Sequence, residues 1–247
     1  MAGRSLNFPA LVENFLDLFY PPRCLVCDKP GAYVHPHCRS QMPFLVEPLC
    51  HGCGVPLRFD STDKFMLRCN SPICSLSESA RALDRVASTF AHTGGARQAA
   101  LRLKYKGGAG LSKWLGVEMA QAARKQGLES LDCVLPVPLH QKRLRKRGYN
   151  QSALLARAVG RELGMPYLEK RLVRQRYTRS QVGLGAAQRA HNVADAFAWH
   201  GPSWQGQTLL LIDDVCTTGA TINACAKTLK AAGAGRVLAL TLTREYT

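Results

Sequence analysis

The sequence has no long apolar run and no secretory signal. Near its start, apolar residues recur at helical spacing in Leu11, Phe15, Leu18 and Phe19, but acidic side chains interrupt the pattern and two prolines end it. Such a segment is too short and too charged for a membrane span or a signal peptide. We expect a cytoplasmic chain without a transmembrane segment, in which residues 1–22 form an amphipathic helix docked on the protein's own core. A helix lying on a membrane surface is the alternative.

Acidic residues are scarce. Aspartate and glutamate number 17 against 33 lysines and arginines, which gives a formal net charge of +16 and a pI of about 9.7. The hydrophobic fraction of 46% is ordinary for a globular protein, so the chain can still build a core. An excess of basic side chains favours polyanionic partners such as nucleic acid or phosphorylated metabolites, although part of it serves solubility alone.

Cysteines are rare outside one short segment. Seven of the ten lie between residues 24 and 74, and two pairs have knuckle spacing, CLVC at 24–27 and CHGC at 50–53. A knuckle places two thiolates on one turn, as two corners of a tetrahedral zinc site. We predict that residues 23–80 form a double zinc ribbon stabilised by metal, because so small a segment can hardly fold by burial alone. Disulfides are the alternative, which the lack of an export signal disfavours.

Each ribbon has a predicted set of four zinc ligands. The first combines three cysteines with a histidine from HPHC, either His35 or His37, of which we take His35. A single site that mixes the knuckles is a further alternative. All four coordination positions of each zinc ion are filled by protein ligands, which indicates structural rather than catalytic zinc. The predicted ligands are Cys24, Cys27, His35 and Cys38 in the first ribbon, and Cys50, Cys53, Cys69 and Cys74 in the second.

From about residue 82 onward, strands alternate with helices. This order predicts an α/β domain over residues 81–247, with a doubly wound parallel sheet whose ligands bind at the carboxyl ends of the strands. Asn150 and Gly164 are expected to cap one helix. The predicted strands are 85–92, 132–139, 207–215 and 236–243, and the predicted helices are 96–110, 111–127, 150–164 and 219–234.

The stretch LLLIDDVCTTGAT, residues 209–221, has the composition of an anion site. A buried strand ends in two aspartates, small residues and three threonines follow, and the chain then turns helical. Free amides at a helix N-terminus and threonine hydroxyls suit a phosphate, but no Gly-Lys-Ser/Thr follows, so the stretch is not a P-loop. Two carboxylates beside a phosphate can accept hydrogen bonds from a sugar diol or hold Mg²⁺. We interpret the stretch as a ribose 5-phosphate site; a capped turn with solvated acids is the alternative.

The same stretch resembles the PRPP-binding signature of type I phosphoribosyltransferases. In that family the acidic pair binds the ribose hydroxyls, and the following loop binds the 5-phosphate. The resemblance implies Mg²⁺ together with PRPP, and a type I phosphoribosyltransferase-like parallel sheet with helices on both faces. The residues it marks for PRPP are Asp213, Asp214, Val215, Cys216, Thr217, Thr218, Gly219, Ala220 and Thr221.

A second segment, residues 136–152, is strongly basic. It follows a predicted strand and carries five lysines and arginines within six residues. In a phosphoribosyltransferase the loop at this place holds pyrophosphate, and a solvated basic face is the alternative. Tyr149 is equally suited to stack on a base or to pack against the sheet. The residues marked for pyrophosphate or DNA are Arg145, Arg147, Gly148, Tyr149, Asn150 and Gln151.

Nearly end to end, the chain resembles the ComF family, also called the GntX or competence protein F family. The matching features are a Pro-Pro-x-Cys entry, paired-cysteine ribbons, and the segments LKYKG, VPLH…RGYNQS and SQVGL…QRAHNVADAF. In the last of these, Gln181, Arg189 and Asn192 are candidates for a flexible loop over the site. Two departures concern the zinc ligands: a histidine replaces one cysteine of the first ribbon, and four residues separate Cys69 from Cys74.

This resemblance implies a role in natural competence, through the handling of incoming single-stranded DNA in the bacterial cytoplasm. The implied partners are PRPP or a related ribose phosphate, single-stranded DNA and a competence helicase. A nucleobase phosphoribosyltransferase of salvage metabolism and a PRPP-sensing regulator without catalysis are the alternatives, and no catalytic residue is assigned. A pure DNA-binding adaptor is disfavoured, because two carboxylates would repel DNA phosphates.

Overall fold

The computed structural model groups the chain into two compact units, the first ending at Met42 and the second beginning at Pro43. Apart from its last two residues, the predicted N-terminal helix lies outside the described residues. No helix within the described part is long and apolar enough to cross a membrane. The described residues are 21–59, 67–69, 71–77, 80–105, 108–128, 130–177 and 186–246.

The strands and helices predicted over residues 81–247 are present, together with further elements between residues 141 and 199 that the sequence did not predict. Among the described residues, each unit carries one cysteine cluster. The described part of the first unit has one short helix, and that of the second ribbon has a two-stranded antiparallel pair. In chain order the elements are α1 (Pro36–Arg39), β1 (Arg58–Phe59), β2 (Leu67–Arg68), β3 (Arg85–Ala91), α2 (Gly94–Arg102), α3 (Gly108–Lys125), β4 (Cys133–Pro136), α4 (Gln141–Arg147), α5 (Gln151–Leu163), β5 (Leu172–Arg174), α6 (Ala186–Val193), β6 (Phe197–Trp199), β7 (Thr208–Cys216), α7 (Ala220–Ala231) and β8 (Arg236–Arg244).

Four strands form the central sheet in the order β3-β8-β7-β4, all parallel. Leu209 and Leu211 of β7 pack with α7 and the second ribbon in one buried cluster. Alternate side chains of a strand point to opposite faces, so the equally buried Leu210 and Ile212 face the other side, where α5 packs against β7. Helices therefore cover both faces of a parallel sheet, as predicted. Because the four strands run the same way, their carboxyl ends meet at one edge.

Helix α5 begins and ends where its capping residues predict. Asn150 Oδ1 accepts a hydrogen bond from the Ser152 amide at 3.1 Å, and Gly164 adopts the left-handed conformation at φ +69°. One helix end was misplaced by a wide margin: the helix predicted over 96–110 ends at Arg102. The Tyr149 hydroxyl donates to the carbonyl oxygens of Leu103 and Tyr105, and these contacts hold the chain in a turn. The glycines expected to end this helix instead begin α3.

Strand β7 ends one residue later than predicted. It continues past the two aspartates to Cys216, because Val215 and Cys216 remain paired with Thr243 and Arg244 of β8. The basic segment also contains a short helix, α4, which the sequence reading did not predict. His140 caps its start by accepting a hydrogen bond from the Lys142 amide, at 3.1 Å.

Candidate functional site

Two clusters of four side chains match the predicted zinc sites residue for residue. Within each cluster the candidate ligand atoms all lie within 4.8 Å of one another. In the first, Cys27 Sγ and His35 Nδ1 are 3.4 Å apart. In the second, sulfur–sulfur distances of 3.3 Å and 3.6 Å are close to the separation of about 3.8 Å that two thiolates have around a tetrahedral zinc ion. Both donor sets therefore fit structural zinc.

The first cluster contains His35 and leaves His37 outside, which separates the two histidines that the sequence could not. None of the ten cysteines forms a disulfide. The knuckles are not mixed, since each cluster uses one knuckle and two later residues. Gly54, which follows the second knuckle, adopts φ +68°.

The acidic pair lies at the carboxyl end of β7, and both carboxylates are buried. Asp213 Oδ1 accepts hydrogen bonds from Ser152 Oγ at 2.8 Å and from the Asp214 amide at 2.9 Å. Burial, together with the neighbouring Asp214 carboxylate, raises the pKa of Asp213 to about 8. Asp213 is thus fixed in place by the start of α5 and holds a proton more tightly than an ordinary aspartate.

Asp214 has a different environment. Its Oδ2 lies 3.2 Å from Lys104 Nζ, which is ion-pair distance, but the angles at this contact do not make a hydrogen bond. The Lys104 side chain is 32% exposed, whereas that of Asp214 is 9% exposed. Asp214 therefore keeps a buried acceptor atom beside a partly exposed cation, where the hydroxyls of a ligand can compete with the lysine.

The loop after β7 leads directly into α7. Gly219 caps this helix with φ +76°, and the Ala220 amide donates to Thr218 Oγ1 at 3.4 Å. The first amides of a helix have no partner within the helix and carry its positive dipole end. The two aspartates thus lie directly before a helix N-terminus, and their use as a ligand site stays a prediction.

Cys216 is a buried thiol and not a reactive thiolate. Burial raises its pKa to about 11, although Arg244 opposes that shift. Arg244 Nη1 contacts Cys216 Sγ at 2.6 Å and also donates to the carbonyl oxygen of Thr217. The residue therefore fills space beneath the loop, as its small size indicates.

Most of the residues marked in the basic segment are engaged within the protein. Asn150 caps α5 and donates from Nδ2 to the Val137 carbonyl oxygen at 3.0 Å. Gln151 is buried and accepts a hydrogen bond from Arg147. Arg145 is exposed on α4, and Gly148 ends that helix with φ +86°. The Tyr149 hydroxyl bonds to backbone carbonyls, which favours packing over stacking for this ring.

The candidates for a flexible loop are divided. Gln181 lies outside the described residues, and Arg189 and Asn192 lie in α6. The backbone carbonyl of Asn192 accepts a hydrogen bond from Arg176 Nη2 at 3.5 Å. Their assignment to a mobile loop stays a prediction.

Several side chains at the site were not singled out from sequence. Lys104 and Ser152 lie within LKYKG and RGYNQS, so family-like segments marked them without giving them a role. Ser71 and Arg244 carried no signal, since one is an ordinary serine and the other lies near the end of a strand. Arg244 Nη2 donates to Ser71 Oγ at 2.8 Å, a contact across 173 residues of chain that only the fold reveals.

Together these features define a protein with two zinc ribbons and a parallel α/β sheet. The family described as Double zinc ribbon domain matches residues 15–75, which contain both cysteine clusters. This match supports the predicted double zinc ribbon and structural zinc at the two clusters.

The names of the chain's relatives refer to DNA utilization and to competence. "DNA utilization protein YhgH" of Escherichia coli K12 is 38% identical over 127 residues, 51% of this chain and 56% of the relative. "Competence protein F" of Haemophilus influenzae is 35% identical over 125 residues, 50% of this chain and 55% of the relative. "Competence protein ComFC" of Bacillus subtilis is 25% identical over 238 residues, 90% of this chain and 95% of the relative.

These relatives confirm the resemblance to the ComF family. The matched stretch spans little more than half the length of the Escherichia coli and Haemophilus influenzae proteins.

Solved structures of PRPP-related enzymes also align with the chain. Glutamine PRPP amidotransferase from B. subtilis aligns with a TM-score of 0.40 and 20% identity, covering 57% of this chain and 30% of that one. Trypanosoma cruzi hypoxanthine phosphoribosyl transferase aligns with a TM-score of 0.33 and 14% identity, covering 60% and 66%. Scores this low support no inference about the site.

Proposed function

We propose that this ComF-like protein binds PRPP or a related ribose 5-phosphate, with Mg²⁺, at the carboxyl end of β7, and that it acts in DNA uptake through single-stranded DNA. The observation that carries the proposal is the pair of buried carboxylates directly before the N-terminus of α7. A site for DNA phosphates alone has no use for two such acidic side chains, because each repels phosphate once it is ionised. A ribose phosphate uses both parts, the carboxylates for its diol and the helix terminus for its phosphate.

The two aspartates are suited to unequal roles. Asp213 accepts hydrogen bonds from Ser152 Oγ and from the Asp214 amide, so its side chain is a hydrogen-bond acceptor with a fixed orientation. Asp214 pairs with the partly exposed Lys104, whose ammonium group can move away or turn to the phosphates of a ligand. Carboxylate oxygens are ligands that Mg²⁺ prefers, and the metal would neutralise the phosphates of PRPP.

Transfer of the ribosyl group would make the protein a phosphoribosyltransferase. Catalysis of this kind depends mainly on positioning and charge stabilisation, so the site needs no dedicated base. A PRPP-sensing regulator uses the same site without turnover. The acceptor base and the competence helicase partner remain predictions from the family resemblance.

The test compares two ligands in one buffer. Purified protein is titrated calorimetrically with PRPP–Mg²⁺ and, separately, with a single-stranded oligonucleotide. The variant Asp213→Asn/Asp214→Asn keeps the side-chain shapes and removes the carboxylate charge of Asp214, together with that of Asp213 wherever PRPP–Mg²⁺ displaces its proton. Each lost charged hydrogen bond should cost about 1.5–3 kcal/mol, so the affinity for PRPP should fall more than tenfold.

The matched control is Asp28→Asn, which removes one charge from an exposed ion pair with Arg23 in the first unit. It should leave the affinity for PRPP unchanged. If the unmutated protein binds no PRPP and the double variant binds DNA more tightly, the site serves DNA phosphates and the proposal is wrong.

A further inference from the structure

The second ribbon contacts the loop after β7 through a buried arginine. Ser71 lies between Cys69 and Cys74, two members of the second cluster, and its hydroxyl accepts a hydrogen bond from Arg244 Nη2. Through Nη1 the same guanidinium reaches Cys216 Sγ and the Thr217 carbonyl oxygen. One side chain thus joins a zinc cluster to the first residues of the proposed phosphate loop.

Arg244 is an unusual residue to bury. It is 1% exposed, its Nε has no hydrogen-bond partner, and among the described residues its guanidinium contacts no carboxylate. A buried charge without a counter-charge is strongly unfavourable. The Cys216 thiol does not compensate it, because its pKa is raised to about 11 and the thiol stays neutral at neutral pH.

Two anions would supply the missing negative charge. A zinc ion held by the four thiolates of the second cluster has a formal net charge of about −2, since metal ligation requires deprotonated cysteines. Cys53 of that cluster and Cys216 pack in the same buried cluster of side chains. A phosphate bound at the loop is the second anion. Arg244 lies between the second cluster and the loop, where its charge can stabilise both anions.

An apolar contact joins the same two elements. Ile73, which precedes the cluster member Cys74, packs on Gly219 so closely that a Cβ atom on the glycine would lie 2.1 Å from Ile73 Cδ1. Gly219 is the helix-capping residue of the loop, and its φ of +76° already favours glycine. The ribbon therefore packs directly on the turn that starts α7.

The knuckle of the second ribbon is attached to the sheet at another place. The Val86 amide of β3 donates to the Gly52 carbonyl oxygen at 3.0 Å, and a Cβ on Gly54 would lie 2.6 Å from Val86 O. Zinc bonds would connect this anchored knuckle to Cys69 and Cys74. The position of Ser71 and Ile73 thus depends on the metal that holds both halves of the ribbon together.

We propose that the second zinc cluster is a positioning element of the ribose-phosphate site, acting through Ser71 and Arg244 on residues 216–219. Zinc at this cluster fixes Ser71, Ser71 orients Arg244, and Arg244 holds the backbone of the loop in the form that receives a phosphate. The inference rests on the proposed ribose-phosphate site. Binding linkage is reciprocal, so ribose phosphate in turn slows the loss of zinc from this cluster.

The first experiment removes one zinc site at a time from the full chain. Cys69→Ser/Cys74→Ser disrupts the second cluster, and Cys24→Ser/Cys38→Ser is the matched disruption of the first. Elemental analysis should show the loss of about one zinc ion from each. Only the second-cluster variant should show faster amide hydrogen exchange in peptides covering 214–222. It should also bind ribose 5-phosphate about 5- to 10-fold more weakly, while the first-cluster variant changes neither readout.

The second experiment changes Ser71, which is not a zinc ligand, so the zinc stays bound and the ribbon remains folded. Ser71→Ala removes the acceptor of the arginine, and Ser71→Thr restores a hydroxyl at the same position. Both variants should retain their full zinc content. The alanine variant should raise exchange in 214–222 and weaken ribose 5-phosphate binding several-fold, and the threonine variant should recover most of both.

The outcomes separate the coupling from the proposed function. If the unmutated protein binds no ribose 5-phosphate but the exchange pattern follows zinc and Ser71, the coupling stands and the proposed function fails. If the protein binds ribose 5-phosphate and neither the second-cluster variant nor Ser71→Ala alters binding or exchange, the coupling is overturned. Equal effects of the two cluster variants also overturn it, because a general loss of stability would then explain both.

Discussion

At the scale of single residues, the adjacent Asp213 and Asp214 differ in the side chains that contact them. The sequence indicated that both serve one ligand, and nothing within it distinguished them. Ser152, 61 residues before Asp213, fixes that carboxylate, whereas Lys104 pairs with Asp214. Such differences depend on contacts between distant segments, and for this reason residue types and spacing predicted the place of the site but not its internal asymmetry.

The raised pKa of Asp213 predicts a measurable pH dependence of stability. The pKa is about 8 in the folded chain against an ordinary value of 3.8. The folded state therefore binds the proton more tightly, and this contribution to stability is lost as pH rises toward about 8. Relative to Asp213→Asn, the free energy of unfolding of the unmutated chain should fall by about 1.4 kcal/mol per pH unit between pH 6 and 8, then level off.

Urea denaturation of both chains at half-unit pH steps measures this difference. The zinc clusters are common to both chains, so their contribution to stability cancels in the comparison. A difference that stays constant from pH 6 to 9 would mean that Asp213 is already ionised throughout the range.

At the scale of elements, local signals predicted most boundaries. The caps of α5 and the aliphatic run of β7 are encoded within a few residues, and both were found where expected. The end of α2 was missed because Tyr149, some 40 residues later, binds the carbonyl groups that would otherwise continue the helix. Helix α4 was missed because residues 142–147, five of which are basic, were interpreted as a loop.

The exposed face of α4 supports a prediction about DNA. Arg145 is exposed, whereas Arg147 is half-buried and already donates to Gln151. If α4 contacts single-stranded DNA, Arg145→Ala should reduce the slope of log affinity against log salt by about 0.7, the value for one lost phosphate contact. Arg147→Ala should reduce it less.

Arg236→Ala is the matched control, since this exposed arginine starts β8 and so lies at the amino edge of the sheet. Fluorescence anisotropy of a labelled oligonucleotide between 50 and 300 mM salt gives the slopes. Equal slopes for the Arg145 and Arg236 variants would assign α4 to the solvated surface.

At the scale of the whole molecule, the cysteine spacing predicted two ribbons and the alternation of elements predicted an α/β sheet after them; the family match agrees with the ribbons and the fold with the sheet. The ribbons differ in a way the spacing did not reveal. The first belongs to the unit that ends at Met42, and the second belongs to the unit that contains the sheet. Two contacts attach the second ribbon to the sheet: Gly54 packs against Val86, and Ser71 accepts a hydrogen bond from Arg244. Each joins residues far apart in sequence, which local patterns do not encode.

This division predicts that the two zinc ions stabilise different parts of the chain. Purified protein should contain about two zinc ions, and its three tryptophans, Trp114, Trp199 and Trp204, all report on the second unit. Cys53→Ser should lower the denaturation midpoint seen by tryptophan fluorescence by several degrees, because the ribbon packs on β3 and on the loop after β7. Cys27→Ser should leave that midpoint within about one degree, although it loses a zinc ion from the first unit. If instead both variants lower the tryptophan midpoint equally, the two ribbons and the sheet unfold as one cooperative structure and the division into units has no energetic meaning.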